Sequence, residues 1–346
     1  METSKFFPIV ETQDEGYQKT FKNCAELVPT LPRSKGWWLD ELFQYQGFWM
    51  SSFPIRGSML INDHFKTRPT DIIVATSPKC GTTWLRALVF SIINRHSFDF
   101  NDHPLRKLNP QELVLLFAGH IHKDGSTSFL DELPSPRLLS THIPYSLFPK
   151  RMTDDTSGCR FVYICRDPKD VLVSKWHFSN KLRPKEVPPL SLEEAFDLFC
   201  NGVSHYGPFW DHVLGYWKAS VESPKKVLFL TYEDVKKEPL GCVRKVAEFL
   251  GVPFSPEEEN KKTVEEIVKL CSFESLSNLD VNRSVAKRSE RPVSNSDFFR
   301  KGEVGDWVNH LSPEMVEKMN QITEQKLQGI GFNFHGLLLL HAVRMM

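Results

Sequence analysis

The sequence predicts an α/β fold: one domain with a central parallel sheet flanked by helices and a P-loop-like anion-binding loop after its first strand. Three observations predict it. Short β-branched apolar runs alternate along the chain with helical patterns. The runs are apolar almost throughout, as strands covered on both faces must be. One of them, DIIVATSPKCGTTWLRAL from Asp71, passes through a lysine and a single glycine directly into a helix.

Strands are expected at Asp71–Thr76, Arg137–Thr141, Arg160–Cys165 and Lys226–Thr231. Helices are expected at Thr82–Asn94, Pro168–Asn180, Leu192–Lys218, Leu240–Leu250 and Ser312–Leu327. No repeat and no shift of composition marks a second domain. Two Pro- and charge-rich connections, 181–190 and 283–297, are long enough to serve as mobile lids.

With 346 residues, 40% hydrophobic and 25% charged, the chain has the makings of a globular protein with a substantial core. Lys plus Arg equals Asp plus Glu at 43 each, so no overall field draws nucleic acid or an anionic membrane. Any anion site must be local. The seven cysteines are odd in number and form no Cys-x-x-Cys pair, which fits a reducing cytosol better than a disulfide framework or a zinc site. The first residues, METSKFFPIVETQDEGYQK, lack a secretory apolar stretch and are too acidic for a transit peptide, so a cytoplasmic location is expected. The apolar run Gly336–Val343 falls far short of the ~20 residues of a membrane span. Asn282-Arg-Ser matches a glycosylation acceptor, a pattern common by chance.

A strand that feeds a helix through a glycine turn leaves backbone N–H groups free at the helix N-terminus, where a phosphate is stabilised by those donors and by the helix dipole. Lys79 adds a full charge, Gly81 permits close approach of the backbone, and Thr82 and Thr83 add hydroxyls. This is not a Walker A loop, because the lysine precedes the only glycine. The plain alternative is a capped helix with a solvated lysine. Two later stretches carry the same chemistry. Arg166 follows the third expected strand, with Ser174 in the helix beyond it, at the strand end where open α/β sheets bind ligands. Arg300 and Lys301 stand beside Gly302 as a clamp for a second phosphate. Each is weak alone.

Together the stretches PKCGTTWL, STHIPYSLFP, YICRDPKDVLVSKWHF and FFRKGEVGDW, in this order, resemble the cytosolic sulfotransferases, particularly the plant branch. LPRSKGWW, QGFW and LCSFESLSNL extend the resemblance over nearly the whole chain. The resemblance implies a single α/β domain and use of 3′-phosphoadenosine 5′-phosphosulfate as co-substrate, with no metal. It implies that Lys79, Cys80, Gly81, Thr82 and Thr83 hold the 5′-phosphosulfate, and that Trp84 stacks on adenine near Tyr232 and Phe273. It likewise implies that Arg166, Ser174, Arg300, Lys301 and Gly302 hold the 3′-phosphate, and that His142 is the catalytic base, with Lys79 also catalytic. A histidine of ordinary pKa, ~6.5, suits proton transfer near neutrality.

Departures from the family pattern carry expectations of their own. Cys80 replaces a common serine or threonine and makes the loop a candidate for oxidation. Ser140 replaces the lysine usual in animal members, so no second cation is expected from that position. Val308 and Ser312-Pro313 replace parts of the animal dimerisation motif, and a monomer is expected.

Residues 1–65 are expected to contribute to the acceptor pocket, 66–335 to form the α/β domain, and 336–346 to be a tail of unknown role. Candidate pocket residues are Trp37, Trp38, Phe48, Trp49, Pro144, Tyr145 and the 181–190 loop, although aromatic clusters are more often core. The expected acceptor is a small hydroxylated molecule; plant relatives sulfate flavonols, brassinosteroids, desulfoglucosinolates and hydroxyjasmonates. Two rival readings are a nucleotide kinase, which lacks a Gly-Lys-[Ser/Thr] ending and an evident magnesium-binding acid, and a nucleotide sensor, which leaves Lys79 and His142 unexplained together.

Overall fold

The computed structural model describes residues 14–38, 40–124, 126–283 and 293–334. Its strands are β1 (Arg33–Lys35), β2 (Glu41–Tyr45), β3 (Phe48–Met50), β4 (Ile72–Thr76), β5 (Leu115–Leu116), β6 (Leu138–Thr141), β7 (Arg160–Cys165) and β8 (Val227–Thr231). Helices of at least six residues are α1 (Glu15–Leu27), α2 (Ser52–His64), α3 (Thr82–Ile93), α4 (Phe117–Asp124), α5 (Pro168–Leu182) and α6 (Leu192–Cys200). They continue with α7 (Phe209–Glu222), α8 (Tyr232–Lys237), α9 (Pro239–Phe249), α10 (Thr263–Leu270), α11 (Phe273–Asn278) and α12 (Pro313–Leu327).

The central sheet has five parallel strands in the order β5-β6-β4-β7-β8. Its four longer strands are those the sequence predicts, each within one residue of the expected start. The period of two along each strand divides the core into two layers. Ile73, Ala75, Leu139, Phe161, Tyr163 and Phe229 face one layer, which includes residues of α2 and α7. Ile72, Val74, Val162, Ile164, Leu228 and Leu230 face the other, built with α3, α9 and α10. At the amino edge of the sheet, Arg137 donates to both carboxylate oxygens of fully buried Asp71, at 2.7 Å each, and pins the starts of β4 and β6.

Chain order fixes where a ligand can sit. The chain leaves β4 for β6 on one side and later places β7 on the other, so the direction of winding reverses at β4. Loops diverge from the carboxyl ends at such a point and leave a crevice. Thr76, Thr141 and Cys165 end the three strands that meet there.

The expected single helix Leu192–Lys218 is two helices, α6 and α7, parted by Asn201–Pro208. The backbone turns left-handed there at Gly202 (φ 79°) and Tyr206 (φ 62°), and Pro208 N-caps α7. Residues 14–65 contribute α1, the antiparallel sheet β1-β2-β3 and α2. The break and this sheet meet: Trp49 N–H donates to the Gly207 carbonyl and Tyr206 N–H to the Trp49 carbonyl, both at 2.7 Å.

Residues 181–190, the first expected lid, are hydrogen-bonded to their surroundings in this structure. Arg183 donates to the Trp37 and Pro188 carbonyls, Trp176 Nε1 donates to the Leu190 carbonyl, and the Asn180 amide holds Leu190 on both its backbone groups. Most of the second expected lid, and the tail beyond 334, lie outside the described residues. Trp37 is core rather than pocket wall, with no exposure and its Nε1 donating to the Val203 carbonyl at 2.9 Å. Asn282 is buried between Asn109 and the Leu276 carbonyl and so cannot be glycosylated in the folded chain. No helix among the described residues is long and apolar enough to cross a membrane.

Candidate active site

β4 ends at Thr76, and the next five residues make the turn that opens α3. Lys79 (φ 72°) and Gly81 (φ 103°) both take left-handed backbone. Only Gly81 has a steric reason for its identity: a Cβ there would come within 2.9 Å of the Tyr232 ring. Gly81 is the N-cap of α3 and offers no side-chain acceptor, so the first-turn N–H groups lack the usual cap. Such a terminus favours an anion.

The Tyr232 ring is the hub of the site. Trp84 meets it edge-on at 5.3 Å between centroids, and the Arg166 guanidinium lies 4.5 Å above it. Arg166 leaves the carboxyl end of β7, pairs with Asp170 at 3.1 Å and donates to the Glu303 carbonyl. Asp170, Ser174 and Phe178 recur at every fourth position of α5 and so share one helical face. Asp170 also accepts from the backbone N–H groups of Gly305 (2.8 Å) and Trp307 (3.2 Å), which fastens the 300–309 segment to α5. In that segment Arg300 and Lys301 both pair with Asp306, which accepts from Asn309 as well. Gly302 (φ 67°) is pressed on Phe273, where a Cβ would meet the ring at 2.4 Å. Arg166 Nε and Arg300 Nε are buried without a hydrogen-bond partner among the described residues.

His142 follows β6 directly. Its Nδ1 lies 2.8 Å from the Thr76 carbonyl, which can only accept, so Nδ1 carries the hydrogen and the Nε2 lone pair is available as a base. Thr76 Oγ1 is 3.1 Å from the same Nδ1 and 2.7 Å from Thr82 Oγ1, which couples the histidine to the first turn of α3. Behind it, His212 Nε2 donates to the His142 carbonyl at 2.9 Å and Tyr163 donates to His212 Nδ1 at 3.0 Å. The ring of Tyr206 covers the imidazole at 5.4 Å.

Burial moves the titrations. His142 is pushed down to about 3, by burial first, with the Thr76 carbonyl opposing and Arg86 adding to the drop. It is therefore neutral over the whole physiological range, not poised near the ordinary histidine value. Lys79 is lowered to about 7 by burial and then by Lys181, Arg300 and Arg166, with Asp297 opposing. The thiol of Cys80 is fully buried in the core and pushed up to about 12 by that burial. This corrects the expectation of an oxidation-prone loop, since oxidation follows the exposed thiolate. Ser140 is also buried and accepts from Arg86 Nε at 2.8 Å.

Lys79 to Trp84 follow β4, Arg166 follows β7 and Tyr232 follows β8, Asp170 and Phe273 fasten the Arg300–Gly302 segment beside them, and His142 stands at the neighbouring end of β6. Sequence reasoning missed Thr76, Tyr163, Tyr206 and His212, which reach the site through contacts across 49 to 70 positions of the chain. Asp170 and Asp306 stood inside the recognised motifs, beside the cations they hold.

The Sulfotransferase domain family matches residues 69–331. Cytosolic sulfotransferase 16 of Arabidopsis thaliana is 45% identical over 322 residues, covering 92% of this chain and 94% of that one. A solved sulphotransferase structure from the same plant is 37% identical with a TM-score of 0.70, covering 95% of this chain and 99% of its own. A mouse sulfotransferase solved with PAP shares the fold at 24% identity and a TM-score of 0.65, over 83% and 94% of the two chains. With a family match over most of its length and end-to-end similarity to plant relatives, the chain belongs to the sulfotransferase family, in the branch of plant cytosolic sulfotransferases.

Proposed function

We propose that the protein moves the sulfuryl group of 3′-phosphoadenosine 5′-phosphosulfate to a hydroxyl of a small apolar acceptor, with His142 as general base and Lys79 at the bridging oxygen. The observation that carries this reading is the linkage of the histidine to the anion-binding turn at the switch point: His142, Thr76 and Thr82 form one hydrogen-bonded chain from the base to the start of α3. The residues suit the donor. Two buried guanidinium Nε–H groups await acceptors, the α3 terminus is uncapped, and the mouse relative was solved with the desulfated donor.

The bound donor supplies an activated sulfuryl group and a phosphate leaving group. Lys79 and the α3 N–H groups hold the leaving end, where negative charge grows as the sulfur–oxygen bond breaks. His142 Nε2 takes the acceptor's hydroxyl proton, while the Nδ1–H bond to Thr76 keeps the ring in that tautomer. Arg166, Ser174, Arg300 and Lys301 grip the 3′-phosphate, and Trp84, Tyr232 and Phe273 surround the adenine. Because the 3′-phosphate changes little during transfer, those contacts give uniform binding. Arg166→Ala and Arg300→Ala should therefore raise the donor KM, by about 1.5–3 kcal/mol each in binding. They should also erode the preference for donor over adenosine 5′-phosphosulfate in initial-rate assays; undiminished preference would refute the clamp.

Residues 14–65 supply part of the acceptor wall in this reading, because β3 holds Tyr206 against His142. Trp38, Phe48 and Trp49 are partly exposed and offer flat apolar surface. The test is a panel of phenols, flavonols, sterols and hydroxylated acids assayed with sulfur-labelled donor. Label should enter flat apolar hydroxyl compounds, and EDTA should leave the rate unchanged, since the site's own cations already offset the donor charge. Label entering only polysaccharide or peptide would overturn the acceptor class.

A further inference from the structure

Lys79 is a cation among cations. Lys181 of α5, Arg166 beyond β7 and Arg300 of the clamp segment all act against its charge, and Asp297, just before that segment, acts in its favour. No carboxylate among the described residues lies within ion-pair distance of it; Asp297 pairs with Lys181 instead, at 3.2 Å. The ammonium sits over a ring: Lys79 Nζ is 3.9 Å from the centroid of Phe178. A desolvated ammonium inside ~6 Å of an aromatic face is attracted by the ring quadrupole, whereas a neutral amine is not. Both partners are held in place. Phe178 lies one turn beyond Ser174 on α5 and packs on Phe298 at 6.1 Å. Lys79 leaves a left-handed backbone (φ 72°) that sets the direction of its stem.

We propose that the face of Phe178 carries the charge of Lys79 between turnovers, which makes Phe178 a positioning residue for donor capture. The inference rests on the reading of Lys79 as a donor-binding group. With the ring in place, burial and three neighbouring cations already lower Lys79 to about 7, so a ring whose face attracts the ammonium less would let the proton leave at still lower pH. The free enzyme would then offer the phosphosulfate a neutral amine. Once donor is bound, its own negative charge keeps Lys79 protonated and the ring matters less.

The test replaces Phe178 with mono-, di- and trifluorophenylalanine, which weaken the face of the ring stepwise while keeping its shape. Profiles of kcat/KM for the donor against pH report the free enzyme, and those of kcat the complex. The basic limb of kcat/KM should move to lower pH with each fluorine, by about one unit at three fluorines, while that of kcat moves by less than a third as much. A basic limb that stays in place across the series, or that moves equally in both profiles, would overturn the role of Phe178. Lys79→Ala separates the two readings. If it leaves kcat and donor affinity at wild-type values, the donor role of Lys79 falls; if it is impaired while the fluorine series is flat, only the role of Phe178 falls.

Discussion

His142→Ala should lose about 10²–10⁴-fold in turnover, the range in which a positioned general base acts, while binding PAP in calorimetry with unchanged affinity. The separation is expected because no donor-side cation contacts the imidazole; its hydrogen bonds run to Thr76. The pH profile carries the same prediction with a definite sign. Burial lowers His142 to about 3 in the free enzyme, and a base with a lowered value is competent at every pH above it. The acid limb of kcat/KM should thus lie well below the ~6.5 of an ordinary histidine. Negative charge from the donor favours the imidazolium, so the limb of kcat should lie higher than that of kcat/KM. Wild-type turnover in His142→Ala would remove histidine from the chemistry.

Lys79→Ala should chiefly lower kcat, by about 10²–10³-fold, the loss typical of removing one donor to a developing oxyanion. Donor KM should change less, because Arg166, Arg300 and Lys301 remain to hold the other phosphate. Steady-state kinetics at several donor concentrations would check the split. An effect on donor KM alone would place Lys79 in ground-state binding.

The sheet was readable because β4, β6, β7 and β8 are buried on both faces, which forces apolar runs that no turn or surface helix imitates. The turn Lys79–Thr83 and Arg166 were readable because they follow strands or open a helix, where an anion site needs particular residue types; Ser174 within α5 and Arg300–Gly302 in a loop were singled out by their motifs instead. The break between α6 and α7 was not. Apolar helical spacing runs on both sides of it, and Gly202, Gly207 and Pro208 had to outweigh that spacing. The β1-β2-β3 sheet is built from strands of three to five residues, too short to stand out by alternation. Trp37 illustrates the limit for the pocket, since a tryptophan of the core and one of a binding wall have the same sequence signature. The support behind His142 follows the same logic. Thr76, His212 and Tyr163 lie far apart along the chain, and it takes the register of β4, β6 and β7 together with the packing of α7 on the sheet to bring them to one histidine.

The central claim is a division of labour, in which Lys79 and His142 act on the group in transfer and the clamp only holds the donor. Single-turnover transfer of labelled sulfur at saturating donor, measured by rapid quench in the wild type and in His142→Ala, Lys79→Ala and Arg166→Ala, tests it most directly. Arg166→Ala should transfer at close to the wild-type rate once saturated, while the other two should be slower by at least about two orders of magnitude. Arg166→Ala slowed as much as Lys79→Ala, or His142→Ala transferring at the wild-type rate, would contradict it.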